Sequence, residues 1–363
     1  MTAAAASATV STVRQRPAWA IPAIAVGLVV VYFIVLTFVL TLNPQTSAAA
    51  PQIAIQQVAN ALSIGAIYAL IALGYTMVYG IIELINFAHG DVFMMGAFFA
   101  VLFAGVGAGS IPGLLHLNGP VENVPLLVVY IVATLAVVMP ITGLLNLTIE
   151  RVFYRPFRGA SRLAPLITAV GVSFILQNVA LVVFGSGDRN SPQIFPLSWR
   201  VDVFGASVPV LNFVILAIAL ALMFVLQTFV RRTRLGRAMR ATALDQQASK
   251  LMGVDVNQTI ALTFAIGGAL AGAAGTVWGY NFGFVRQDLG FNAGLKSFTS
   301  AVLGGIGNIT GAVLGGFVIG FIENFAASLS LTRWAEFSVF MALTLVLIFR
   351  PAGILGQQVG ERA

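Results

Sequence analysis

The stretch Arg231–Asn257 reads RRTRLGRAMRATALDQQASKLMGVDVN and lies between two long apolar runs. Arg231, Arg232, Arg234, Arg237, Arg240 and Lys250 crowd into it, which marks a loop held on the cytoplasmic side of a membrane. Ala241, Leu244, Ala248, Leu251 and Met252 recur at steps of three and four. On a helix they form one narrow apolar stripe, with Asp245, Gln246, Gln247, Ser249 and Lys250 elsewhere on the wheel. Gly253 supplies a residue able to take the left-handed conformation that ends a helix. A short helix in such a loop has nothing of its own to cover the stripe. It rests on the bilayer surface or it docks into a groove on another protein.

Composition supports a membrane setting for the whole chain. Hydrophobic residues make up 59% of its 363 residues and charged residues 9%, and the mean hydropathy is +0.96. A soluble domain carries about 25% charge. The expected fold is an all-α polytopic membrane protein, one transmembrane domain over residues 1–363 with about eight to nine spans. Cysteine is absent, which excludes disulfides and thiolate metal sites. The net charge of +7 sits in loops beside spans, so it is a topology signal and implies no nucleic-acid partner.

Outward from the loop, the spans read as about Trp19–Leu42, Val58–Tyr79, Val92–Val106, Val124–Thr148, Leu163–Phe184, Pro209–Val230, Thr259–Tyr280 and Phe337–Phe349. Residues 1–17 form a short cytoplasmic segment with Arg14 and Arg16, ahead of an uncleaved first span. Asn43–Gln57, Gly107–Asn123, Gly185–Val208 and Asn281–Lys296 read as loops on the outer side. Fourteen of the nineteen Lys and Arg residues fall on the proposed inner side, among them Arg151, Arg155, Arg158, Arg162, Arg350 and Arg362. Residues 297–325 are apolar but interrupted at Gly304–Gly311, GGIGNITG, and parity requires a re-entrant segment or an extra crossing there. In Thr259–Tyr280, Gly268, Gly272 and Gly275 fall near one helix face and allow close helix packing.

Catalytic signatures are missing. No G-x-x-x-x-G-K-[ST], H-E-x-x-H or G-x-S-x-G occurs, and His89 and His116 are far apart, so neither enzyme chemistry nor a cofactor or metal is expected. Intramembrane charges are few (Glu83, Asp91, Glu323 and Glu336, near breaks or ends), which favours a pathway powered from elsewhere over an ion-driven carrier. Gly80–Asp91, GIIELINFAHGD, places polar groups against apolar sequence and reads as a helix break or a plain turn. It shares a pattern with Leu303–Gly311: early glycines (Gly80; Gly304 and Gly305), an asparagine (Asn86; Asn308) and a closing glycine (Gly90; Gly311). Transporters often pair two such broken elements at the cargo path. Asn86, His89, Gly90, Gly304, Gly305 and Asn308 are therefore the candidate pathway residues, against the simpler reading that the asparagines only cap helix ends.

Four blocks carry a resemblance: Tyr75–Asp91 YTMVYGIIELINFAHGD, Ile149–Arg158 IERVFYRPFR, Gly236–Val254 GRAMRATALDQQASKLMGV and Phe298–Gly316 FTSAVLGGIGNITGAVLGG. In this order they resemble the LivH-type permease of branched-chain amino-acid ABC importers, over about Val58–Gly356. The resemblance implies that the loop helix between Arg240 and Gly253 is the coupling helix. Its candidate contacts to an ATPase are Arg240, Leu244, Asp245, Ala248, Leu251, Met252 and Gly253. It also implies a second related permease, two cytoplasmic ATPase subunits and an extracytoplasmic binding protein as partners, with membrane lipid around the spans. Leucine, isoleucine and valine are the implied cargo, in a bacterial-type cytoplasmic membrane. A sister family carries urea and short amides, and a channel or secondary carrier is the remaining alternative. The span at Trp19–Leu42 departs from the family pattern as an N-terminal extension.

Overall fold

The computed structural model describes residues 20–42, 46–84, 86–104, 120–158, 163–191, 193–329, 331–350 and 352–356. The segment 1–17 with Arg14 and Arg16, and also Arg162, Arg362 and His116, lies outside the described residues. The chain is a polytopic helical membrane protein. Among the described residues, seven helices are long and apolar enough to cross a membrane. The described residues form the α-helices α1 (Ala20–Thr41), α2 (Ala50–Ile82), α3 (Ala88–Ala104), α4 (Val124–Ile149), α5 (Leu163–Phe184), α6 (Val210–Arg232), α7 (Arg234–Leu244), α8 (Gln246–Leu251), α9 (Val256–Phe282), α10 (Leu289–Gly304), α11 (Ile309–Ser328) and α12 (Thr332–Phe349).

α2 is the axis of the bundle. Its most apolar window is 89% buried, against 11% for that of α12. α11, α9, α6 and α10 surround it. Small residues make this possible, because without a hydrophobic drive between helices in lipid, close approach supplies the packing. A Cβ at Gly316 or Gly320 of α11 would overlap the backbone of Ala69 or Gly65 on α2. The glycine face expected on α9 is used in the same way. Gly268 and Gly272 meet Asn146 and Thr142 of α4, and Gly275 meets the Phe93 carbonyl of α3. Polar pins add direction to this packing: Asn146 Nδ2 donates to the Phe264 carbonyl at 2.6 Å, and Asn212 Nδ2 to Asn60 Oδ1 at 2.9 Å.

Several expected boundaries change. Ala50–Gln57 is helix rather than loop, with Ala50 and Ala54 fully buried against the α1 side. Gln52, Gln56 and Gln57 are exposed or only partly buried, which is why the stretch looks like a loop by polarity alone. Asn43–Gln45 lies outside the described residues. The expected loop Asn281–Lys296 is also largely helix: α9 reaches Phe282 and α10 starts at Leu289. Residues 297–325 are therefore not one continuous span. They form the end of α10 and most of α11, which pack antiparallel with Gly304 against Gly311 and Gly315 against Ser300. An additional helix of this kind meets the parity requirement.

Two small antiparallel ribbons sit at the end of the bundle where α5 and α9 finish. β1 (Arg189–Asn190) pairs with β4 (Phe284–Val285), and β2 (Arg200–Val203) with β3 (Ala206–Pro209). The second ribbon turns at Phe204 and Gly205, both at positive φ (50° and 81°), as two-residue hairpins require.

Candidate functional site

The basic loop between α6 and α9 is two helices, not one. Asp245 takes an extended conformation (φ −155°, ψ 114°) and breaks the single helix expected from the stripe. The cause is local. The Asp245 carboxylate accepts from the backbone N–H of Gln247 (2.7 Å) and of Ala248 (2.9 Å), satisfying donors that a new helix start leaves open. Gly253 at φ +82° ends α8, with Val254 N–H donating to the Ser249 carbonyl and Gly253 N–H to that of Lys250, both at 3.0 Å. The stripe still emerges on the outside of the turn: Leu244 is 75% exposed, Leu251 89% and Met252 84%, with Ala248 exposed beside them. Arg240 points the other way, with its guanidinium donating to the Val230 carbonyl at the end of α6.

The first break lies directly beneath this loop. Glu83 at φ 54° ends α2, its N–H donating to the Tyr79 carbonyl at 2.8 Å. The described residues that follow, Glu83, Leu84, Asn86 and Phe87, are not helical, and α3 begins at Ala88. His89, fully buried, packs against Tyr75 (ring centroids 4.7 Å) and Gly74 of α2. Gly74 lies about two turns before the end of α2. The start of α3 thus lies back along α2, with Asn86 of the intervening irregular backbone buried and Glu83 exposed. Asn86 is 2% exposed, and its Oδ1 accepts from the Tyr154 hydroxyl at 2.8 Å. Tyr154 closes a π-helical turn, Glu150–Tyr154, that continues α4. Gly90 touches Gly290 and Gly294 of α10, where any Cβ would overlap backbone.

The second break faces the first. Gly305, at φ +105°, ends α10 in a conformation that disfavours side chains, and it abuts Gly356. Asn308 caps α11: its Oδ1 accepts from the Gly311 N–H at 3.1 Å, and its Nδ2 donates to the Leu355 carbonyl at 2.9 Å. Capping is thus a real part of what Asn308 does. A Cβ built on Gly80 would lie 3.5 Å from the Gly307 Cα, so the two breaks touch. Tyr75, Tyr79, Asn86, Phe298, Ala301 and Ile306 surround a narrow cleft between them.

The loop grips this assembly. Gln246 Nε2 donates to the Ile81 carbonyl at 3.0 Å. That carbonyl is one of those left without an intrahelical donor where α2 stops. Met239, Arg240 and Ala243 of α7 close a cavity of about 90 Å³ over Gly80, Ile81, Gly307 and Ile309. At the same end, Arg158 Nη1 donates to Asn257 Oδ1 at 2.8 Å, tying the turn after α4 to the start of α9. The polar loops that the sequence groups on one side are therefore in contact with one another.

The structure also gives partners to two of the intramembrane charges, Glu323 and Asp91, that the sequence alone does not pair. Lys296 Nζ and Glu323 Oε1 form an ion pair at 2.6 Å between α10 and α11, and the Tyr68 hydroxyl of α2 donates to Glu323 Oε2 at 2.6 Å. Asp91 is fully buried in α3 and accepts from Ser173 Oγ at 2.5 Å. Lys296 falls at the end of a stretch that reads as a loop, and its partner lies 27 residues away, so only helical phasing from Leu289 reveals the pair.

Comparison with known proteins gives a consistent answer. Residues 57–349 match the family described as the permease component of the branched-chain amino acid transport system. The chain is 42% identical over 314 residues to the high-affinity branched-chain amino acid transport system permease protein BraD of Pseudomonas aeruginosa, covering 85% of this chain and 97% of that protein. The corresponding permease protein LivH of Escherichia coli K12 is 40% identical over 313 residues, with the same shares of 85% and 97%. LivH of Salmonella typhimurium is 40% identical over 311 residues, again 85% and 97%. No solved structure matches the chain. The matched region begins after α1, in agreement with an N-terminal extension.

Proposed function

Because this chain belongs to the family of branched-chain amino acid transport system permease components, we propose that it is the membrane-spanning subunit of an ATP-driven importer. It carries leucine, isoleucine and valine across a bacterial-type cytoplasmic membrane. The whole chain acts as one transmembrane domain with its N-terminus and the α7–α8 loop inside. Its partners are a second related permease, two cytoplasmic ATPases and an extracytoplasmic binding protein. Hydrolysis belongs to the ATPases, since this chain has no phosphate-binding loop.

One observation carries the reading. Leu244, Ala248, Leu251 and Met252 are presented outward from a capped helical turn whose inner side holds α2 through Gln246 and covers both helix breaks. A helix lying only on lipid has no need of such a connection. In this account the outer side docks into an ATPase groove, with Asp245 and Gly253 shaping the turn and Arg240 fixing it to α6. The two breaks form the gate. Asn86 lines it, while His89, Gly90, Gly304, Gly305 and Asn308 set the close approaches and caps that keep it in place.

Thiol labelling tests orientation and docking together, because the chain has no cysteine of its own. Leu251→Cys should resist an impermeant reagent outside intact cells, react in inverted vesicles, and be shielded there when the ATPases are bound. Asp202→Cys, on the exposed ribbon, should show the reverse sidedness. Leu251→Cys labelling from outside cells, or equally with and without the ATPases, would contradict the proposal.

A further inference from the structure

The outer helices of this bundle expose mostly large apolar side chains, although α12 also exposes Arg333 and Glu336 in its first turns. α4 shows Val128, Val132 and Leu144 to its surroundings, α6 Phe224 and Val225, and α12 Phe337, Leu345 and Ile348. Such faces suit hydrocarbon. The open face of α10 does not. Gly290, Ala293, Gly294 and Ser297 are buried, while Phe291 and Asn292 are exposed and Leu295 and Lys296 partly so. Positions 291, 292, 295 and 296 make one stripe on a helix.

At the end of that stripe stands the Lys296–Glu323 pair, with side chains 12% and 21% exposed. Lys296 lies about 10 Å along α10 from its first residue, and Glu323 about 8 Å from the last residue of α11. Both are within helices rather than in loops. A charge at the centre of a span costs about 2.5–3.5 kcal/mol on insertion scales, so such groups face a bundle interior or water rather than lipid, and they mark transport paths. Both Glu323 oxygens already accept, Oε1 from Lys296 and Oε2 from the Tyr68 hydroxyl, but the lysine has donors to spare. An ammonium has three donors, and Lys296 spends one on Glu323.

We infer that this face of α10 is a binding site for a zwitterionic amino acid. Lys296 receives the carboxylate, Glu323 the ammonium, and Phe291 and Leu295 flank the aliphatic side chain. The Lys296–Glu323 pair offers one charge of each sign, which matches a ligand with one charge of each sign. A ligand carrying a single charge would leave one of these side chains unpaired, which is costly away from bulk water. Uncharged urea or an amide would use neither charge. Position agrees with this role: α10 starts just after β4, at the ribbon end of the bundle, and finishes at the breaks beneath the α7–α8 loop. In an importer oriented as proposed, cargo arrives at the ribbon end. The inference rests on that reading for the direction of travel.

The test uses the assembled transporter. Asn292→Cys, in the otherwise cysteine-free chain, should react with a thiol reagent in the absence of ATP, and leucine should slow that reaction at least fivefold. An unreactive cysteine, or one indifferent to leucine, overturns the site. Lys296→Met and Glu323→Gln should each lower leucine uptake at least tenfold. The double exchange Lys296→Glu with Glu323→Lys restores an ion pair but reverses the polarity offered to the ligand. It should not recover uptake; recovery to within threefold of the parent would show a structural bridge and defeat the proposal. The labelling result requires neither charged variant to fold. A parent complex whose Asn292→Cys is protected by leucine but which takes up none with ATP would defeat the importer reading and leave the site standing.

Discussion

Asn308 separates two roles cleanly. Replacing it with leucine removes the acceptor for the Gly311 N–H (3.1 Å) and the donor to the Leu355 carbonyl (2.9 Å). Loss of an N-cap costs about 1 kcal/mol. A half-buried carbonyl left without its donor costs about another 1 kcal/mol. Asn308→Leu should therefore destabilise by about 2 kcal/mol when these are added. Asn308→Asp keeps the cap acceptor at a helix start, where a negative charge is favoured, and loses only the bond to Leu355, so about 1 kcal/mol is expected. The assay is an unfolding titration of the purified chain in mixed micelles, run beside uptake by the assembled complex. The order parent, Asp, Leu in stability, with uptake following the amount of folded protein, is the expected result. Unchanged stability in both variants with uptake abolished would refute the capping argument and give Asn308 direct contact with cargo.

Other substitutions follow from the same contacts. Gln246→Leu leaves the Ile81 carbonyl without its donor and should reduce leucine moved per ATP hydrolysed at least tenfold, whereas Gln246→Lys, which can still donate, should stay within threefold; equal ratios in both would remove Gln246 from the coupling route. Tyr154→Phe deprives Asn86 Oδ1 of its partner and should cost about 1 kcal/mol in the same titration, with no loss if that hydrogen bond contributes nothing. Gly275→Leu drives a side chain into the Phe93 carbonyl and should abolish accumulation of folded protein, which immunoblotting of membranes would contradict by showing parent levels.

Much of this arrangement was legible in the sequence. Apolar runs near twenty residues placed most spans, and loop arginines grouped the loops that the structure brings together at one end. The recurrence of Asn86 and Asn308 among glycines located both breaks, although not their contact, which depends on tertiary packing of α2 against α11. Three features were hidden for physical reasons. A helix start rich in glutamine, Ala50–Gln57, looks like a loop when Ala50 and Ala54 are its only buried residues. α10 begins in polar sequence because one of its faces is open, so its hydropathy averages low. The split at Asp245 was readable in principle, since an aspartate two and three residues ahead of free N–H groups is an N-cap signal, but the continuous apolar stripe outweighed it.

The central claim is that this chain conducts branched-chain amino acids inward only with the power of separate ATPases. Proteoliposomes holding the chain, its partner permease and the ATPases, with the binding protein supplied on the opposite face, provide the direct measurement. Leucine should accumulate when ATP is present on the ATPase side, and should not accumulate with an ion gradient alone or when the ATPases are omitted. Leucine uptake at the same rate without ATP, or driven by a proton or sodium gradient, would contradict the account.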